Sequence, residues 1–325
     1  MALLRGWGLT LGKRAGRPAA RLEKDSDDPE VLRLKGAAAA ADWATVREVL
    51  EARPESEGRT DLLWTVCDTA GVEKWITGVA EGEPGAALPR LVAGLRHVSR
   101  GWEARTSASA KNVSREQFEV FHERLRTAER WLYEAAELEP AWASPWYCLQ
   151  ISGRGLEVGP EIARRRFEAT VRRAPHHLEA HQQQLQQVCR KWGGSHEEMH
   201  DFARASMLAA PGGTLLGQLV AVAHLEEWLS LDSGPDAAYI RRPEVAASLN
   251  EAADRSYRHP DFVRRGGWLQ VLNSFAMAFS LAGDREAARE CFRATEGRVT
   301  EFPWSYLNGS DPLAAYRERR AAAGR

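Results

Sequence analysis

Residues Ser114 to Leu149 read SREQFEVFHERLRTAERWLYEAAELEPAWASPWYCL, and the spacing of their apolar letters decides the class of structure. Phe118, Phe121, Leu125, Ala128, Leu132, Ala135 and Ala136 recur three and four residues apart, which places them on one stripe of a long helix. Ser114 with Gln117 forms a capping box at its start, and Pro140 cannot continue it. The small polar stretch from Thr106 to Asn112 predicts a flexible break before it. Strand signals are nearly absent from the rest of the chain: there are no useful alternating runs and no Asn-Gly hairpin turn.

A helix with one apolar stripe needs a partner, so recurrence of the pattern matters. Pro140, Pro175 and Pro211 each close a helical run, at intervals of 35 and 36 residues (175 − 140 and 211 − 175). Upstream of each, the residues that should sit deepest share one spacing, A-x3-F-x2-A-x4-P with substitutions. It reads Ala128, Leu132, Ala135; then Ala163, Phe167, Thr170; then Met199, Ala203, Ser206. A fourth copy, Ala288, Phe292 and Thr295, follows the turn at Gly283-Asp284. Small side chains let a helix approach its neighbour and the larger one fills the hole between them.

These residues resemble the tetratricopeptide repeat, with its period of about 34 residues and its A-x3-F signature before a proline. AELEPAWASPWYCL matches best, because Trp146 and Leu149 follow Pro140 where the repeat places an aromatic and a leucine. GWEAR (101–105), KWGGS (191–195), FAR (202–204) and RVTEFPW (298–304) are similar to an uncharacterised actinobacterial family of helical-repeat proteins related to the group DUF4034. That resemblance implies a fold and no activity. The expected architecture is all-α, a right-handed solenoid of antiparallel helix pairs in three parts. Residues 1–28 form a basic disordered arm, 29–105 an N-terminal helical capping region, and 106–325 the repeats with a C-terminal cap.

Composition narrows the function classes. Acids and bases nearly cancel, 45 against 44, so no overall field draws the chain to nucleic acid. No stretch approaches the roughly 20 apolar residues of a membrane span, and the glycine-broken start lacks the apolar core of a signal peptide. Cys67, Cys148, Cys189 and Cys291 are scattered, as buried thiols of a cytoplasmic protein would be. Basic residues are mostly arginine, which suggests a GC-rich bacterial genome.

HEEMH at 196–200 spells the zinc-protease motif, with His196 and His200 as ligands, Glu197 as base and Glu226 or Glu227 as a third ligand. The preferred reading is a helix start capped by Ser195, because the motif would occupy the fraying first turn and no third ligand stands in a protease frame. No metal or other cofactor is expected. There is no phosphate loop and no G-x-S-x-G elbow. If the inner faces of the repeats form a groove, Tyr147, Arg154, Gln182, Gln186 and Arg190 line it. The tryptophans are expected to plug one repeat onto the next, and EFPWSYLNGSDP (301–312) to close the last apolar face. His176, His177 and His181, and the arginines at 164–166, 172–173 and 241–242, read as solvated faces. The expected role is protein or peptide binding, with a zinc hydrolase or a self-associating structural subunit as alternatives.

Overall fold

A computed structural model describes residues 19–23, 28–55, 57–106, 112–264 and 266–324. Most of the expected arm (1–18 and 24–27) and of the flexible break (107–111) lie outside them. Within the arm, Arg21–Leu22 forms a short strand, β1, paired in parallel with β2 at Arg298–Val299. These two are the only strands among the described residues; everything else regular is helical.

The N-terminal region holds α1 (Pro29–Ala39), α2 (Trp43–Glu51), α3 (Glu57–Cys67), α4 (Ile76–Gly82) and α5 (Ala87–Arg105). Asp28 caps α1, and Asp42 caps α2 through the amide of Thr45 at 3.1 Å, turning Val46, Val49 and Leu50 inward. The quoted stretch forms α6 (Arg115–Leu138). Both arms of its capping box are present: Ser114 Oγ accepts from the amide of Gln117 at 3.2 Å, and Gln117 Oε1 accepts from that of Ser114 at 3.0 Å. Six of the seven stripe residues are buried, Phe118 being half-buried.

Then follow α7 (Ser144–Gly155), α8 (Pro160–Val171), α9 (Leu178–Gln187), α10 (His196–Ala209) and α11 (Gln218–Ser230). Each packs on the next, and α5, α7, α9 and α11 also pack successively on one another. The remainder comprises α12 (Pro235–Ile240), α13 (Pro243–Arg255), α14 (Trp268–Ala282), α15 (Arg285–Ala294), α16 (Glu301–Trp304) and α17 (Pro312–Gly324). Trp304 is sealed among Phe292 and Tyr316 and donates its indole N–H to Asn273 Oδ1 at 2.7 Å, so the C-terminal aromatics close this end.

The repeat positions are buried in every copy except Phe167 and Ser206, which are half-buried. Apolar residues gather into two cores, one running from α1 to α7 and one from α9 to α17. They meet on α9, where Leu178 belongs to the second and Ala180 to the first. Between them α8 contributes to neither and buries Ala163, Arg166, Ala169 and Thr170.

Three residues expected on solvated faces lie inside this seam. Arg166 is 4% exposed, held by Glu129 at 2.7 Å and by the carbonyl of Leu149 at 2.7 Å. His177 is fully buried, its Nε2 3.1 Å from Thr60 Oγ1. His181 is buried with Nδ1 2.9 Å from the carbonyl of His177. Partners from other helices for Arg166 and His177, and the preceding turn for His181, compensate the polarity that the local sequence suggested water would meet. The four cysteines are buried and free. Among the described residues no helix is long and apolar enough to cross a membrane.

Candidate functional site

The five residues expected along an inner face have different fates. Tyr147 is in the core: its phenol oxygen accepts from Trp64 Nε1 at 3.1 Å, and burial pushes the phenol well above its ordinary pKa. Gln182 donates to Gln218 Oε1 at 2.8 Å, and Gln218 donates to Ser274 Oγ at 2.8 Å, an amide relay joining α9, α11 and α14. Gln186 donates to Glu226 Oε1 at 2.7 Å. Buried Glu226 also accepts from Lys191 at 2.9 Å and from the phenol of Tyr306 at 2.5 Å. Arg190 is exposed. Arg154 is the exception, because its guanidinium bonds Gln183 and lies over the rings of Trp102 and Trp192, 5.4 and 5.5 Å from their centroids.

The HEEMH stretch opens α10 as a capped helix, Ser195 Oγ accepting from the amide of Glu198 at 3.0 Å. His196 and His200 do not share a partner. His196 Nε2 lies 3.2 Å from Ser230 Oγ, whereas His200 Nε2 lies 2.7 Å from Glu227 Oε2. Glu226 faces the other way, onto Lys191. Among the described residues no group of three or more His, Cys, Asp or Glu side chains is placed to hold a metal ion.

His200 instead joins a polar cluster that the motif does not announce. The Tyr239 phenol stands 3.3 Å from His200 Nε2 and 2.7 Å from His224 Nδ1, and His224 Nε2 stands 3.0 Å from Ser248 Oγ. Burial, aided by the neighbouring His200, lowers the pKa of His224 to about 3, so the ring is neutral. Burial likewise raises the Tyr239 phenol, which keeps its proton. Glu227 faces the same phenol, so the phenol's one proton is directed at a carboxylate as well as at two imidazoles, and the members of the cluster all have partners. The cluster reads as a satisfied network.

A more open place lies between α8 and α10. A hollow of 710 Å³ is floored by Phe167, Val188, Phe202 and Ala205. Phe167 and Phe202 meet edge to face at 5.5 Å, and Phe167 packs likewise on His181 at 5.0 Å. The rim carries Glu168, Glu197, Glu198 and Asp201 against Arg164. Arg164 is paired with Glu168 at 2.6 Å; the other three acids have no ion pair among the described residues. Sequence reasoning passed over this hollow, although a signal existed. The third repeat copy has Ala203 at the large position, which leaves Phe167 uncovered, and the bulk stands one residue earlier as Phe202.

Comparison with known proteins adds no relative: no family model matches the chain, and no curated protein matches it significantly.

Proposed function

We propose that the chain is a cytoplasmic binding scaffold, a right-handed solenoid of antiparallel helix pairs of the tetratricopeptide kind, from the actinobacterial helical-repeat family related to DUF4034. Its partner on this reading is a peptide segment with an apolar anchor flanked by Lys and Arg. The observation that carries the proposal is the hollow between α8 and α10, where two aromatic faces are left partly open and three acids without an ion pair among the described residues stand on the rim. The successive packing of α5, α7, α9 and α11 supports the solenoid reading, since stacked helix pairs create continuous surfaces between them. An apolar side chain would fill the floor while the rim attracts the flanking cations, which is how grooves in helical proteins select amphipathic segments.

The test is fluorescence anisotropy with a labelled peptide of about a dozen residues carrying Leu anchors among Arg and Lys. Phe202→Asp should lose at least tenfold in affinity. Replacing Glu197 and Glu198 with Lys should weaken binding most at low salt. Equal binding by these variants, or equal binding of an acidic version of the peptide, would remove the assignment.

A further inference from the structure

We propose that residues 1–18 of this chain occupy the hollow between α8 and α10 of the same molecule, so that an outside peptide must displace them; this rests on the peptide-binding reading above. The two halves are complementary. The hollow has an aromatic floor, with Phe167 and Phe202 half-buried, and a rim of four acids against one arginine. Arg164 is already paired with Glu168, and the exposed Glu197, Glu198 and Asp201 have no ion pair among the described residues.

Residues 1–18 read MALLRGWGLTLGKRAGRP. They carry Arg5, Lys13, Arg14 and Arg17 and no acid, and beside these cations stand Leu3, Leu4, Trp7, Leu9 and Leu11. That is an apolar anchor flanked by bases, the composition the hollow selects. The rest of the chain holds 40 bases and 45 acids (44 − 4 and 45 − 0), so a segment of charge +4 is tethered to a body of −5.

Tether and hollow belong to one packed body. Ala20 and Leu22 pack on the second core, where β2 pairs with β1 and Arg317 donates to the carbonyl of Ala20 at 3.2 Å. Phe202 packs on the same core. Trp7 precedes Ala19 by 12 residues (19 − 7), a reach of up to about 40 Å. A compact body of about 150 residues, the length from α9 to α17, has a radius of gyration of about 15 Å, so the tether spans it. Over such a reach the effective concentration of the arm is on the order of 1 mM. With an affinity of about 0.1 mM the arm fills the hollow about nine-tenths of the time and raises the apparent Kd of a competing peptide about tenfold.

A second hollow, of 820 Å³, lies beside the tether and includes Glu23. Lys35 and Arg53 stand among its acids, so its rim is mixed in charge, and Trp64 is the one aromatic among the described residues lining it. It matches the arm less well than the paired aromatic faces and acidic rim between α8 and α10.

The experiment compares the labelled Leu, Arg and Lys peptide by anisotropy on the full chain and on a full-length variant. The variant has Arg5, Lys13, Arg14 and Arg17 changed to Gln, with Trp7→Ser. It should bind the peptide about tenfold more tightly at low salt, and the gap should narrow as salt rises. In a second measurement Trp7 is replaced by p-benzoylphenylalanine in the full chain, and its photo-crosslinks are located by mass spectrometry. Crosslinks within one molecule to residues 164–168 or 197–205 are expected, lost in Phe202→Asp and reduced when Glu197 and Glu198 are changed to Lys. Equal peptide affinity in the two chains would overturn the proposal. So would crosslinks to residues 58–69 of the second hollow, or crosslinks between two copies of the chain. If the peptide binds neither chain, the peptide-binding reading fails, and the crosslink alone decides whether the arm fills the hollow.

Discussion

Removing the carboxylate of Glu129 should be among the most damaging single changes in this fold. Glu129 Oε1 and Oε2 accept from Arg166 at 2.7 and 3.1 Å, and Oε1 also accepts from Ser152 Oγ at 2.9 Å. Although desolvation pulls the pKa of Arg166 down, the bonded and neighbouring Glu129 more than offsets it. Glu129→Ala would leave that cation buried and unpaired, an effect of about 3–5 kcal/mol. An unfolding entropy of about 2.1 cal/mol/K per residue makes each kcal/mol worth about 1.5 °C for a chain of 325 residues, so Tm should fall by about 4–7 °C. Scanning calorimetry reads this directly. Arg166→Met in the same background removes the orphaned charge while filling much of its volume, and should recover at least about 1 kcal/mol. A single variant within about 1.5 °C of the parent, or a double variant no better than the single, would refute the reasoning.

Acid should destabilise the fold well above the carboxylate range. Burial lowers the pKa of His224 to about 3 and of His97 and His181 to about 4, against about 6.5 in the unfolded chain. Below pH 6.5 the unfolded state therefore binds about three protons that the native state refuses, and stability falls as pH falls toward 4. Asp61, raised by burial to about 6, returns part of one proton from a partly exposed side chain. The net slope near pH 5 is about 2.5–3.5 kcal/mol per pH unit, and urea titrations giving equal stability at pH 7 and pH 5 would contradict it. Gly155 touches α6 so closely that an added Cβ would stand 2.4 Å from Leu125 Cδ1 and 2.5 Å from Phe121 Cζ. Gly155→Ala should cost about 1–3 kcal/mol, and a variant as stable as the parent in urea would show that α6 can yield.

Periodicity exposed the helices because spacing of three and four is a direct consequence of the turn. For that reason Leu125, Ala128, Leu132 and Ala135 were legible, as were the capped start at Ser195 and the aromatic closure at Trp304. Arg166 was misread because three arginines in a row look alike. The signal was its place three residues after Ala163 and four before Thr170, on the buried face of α8. Glu226 and Glu227 were interchangeable in the sequence and are not in the fold. Neighbours on a helix diverge by about 100°, so one faces Lys191 and the other His200. Arg154 was singled out from repeat geometry alone. What sets it apart depends on Trp102 and Trp192, 52 residues before it and 38 after, and no local pattern reports such partners.

The pairing of Arg21–Leu22 with Arg298–Val299 has a consequence for synthesis. The first core, α1 to α7, is translated by Gly155, and β2 emerges 144 residues later (299 − 155). At roughly 5–20 residues per second that is a delay of about 7–29 s. During that interval the first core can assemble on the ribosome while β1 has no strand to pair with. The small sheet forms only once residues through Val299 have been made, so a chain that stops short of them leaves β1 with an open edge.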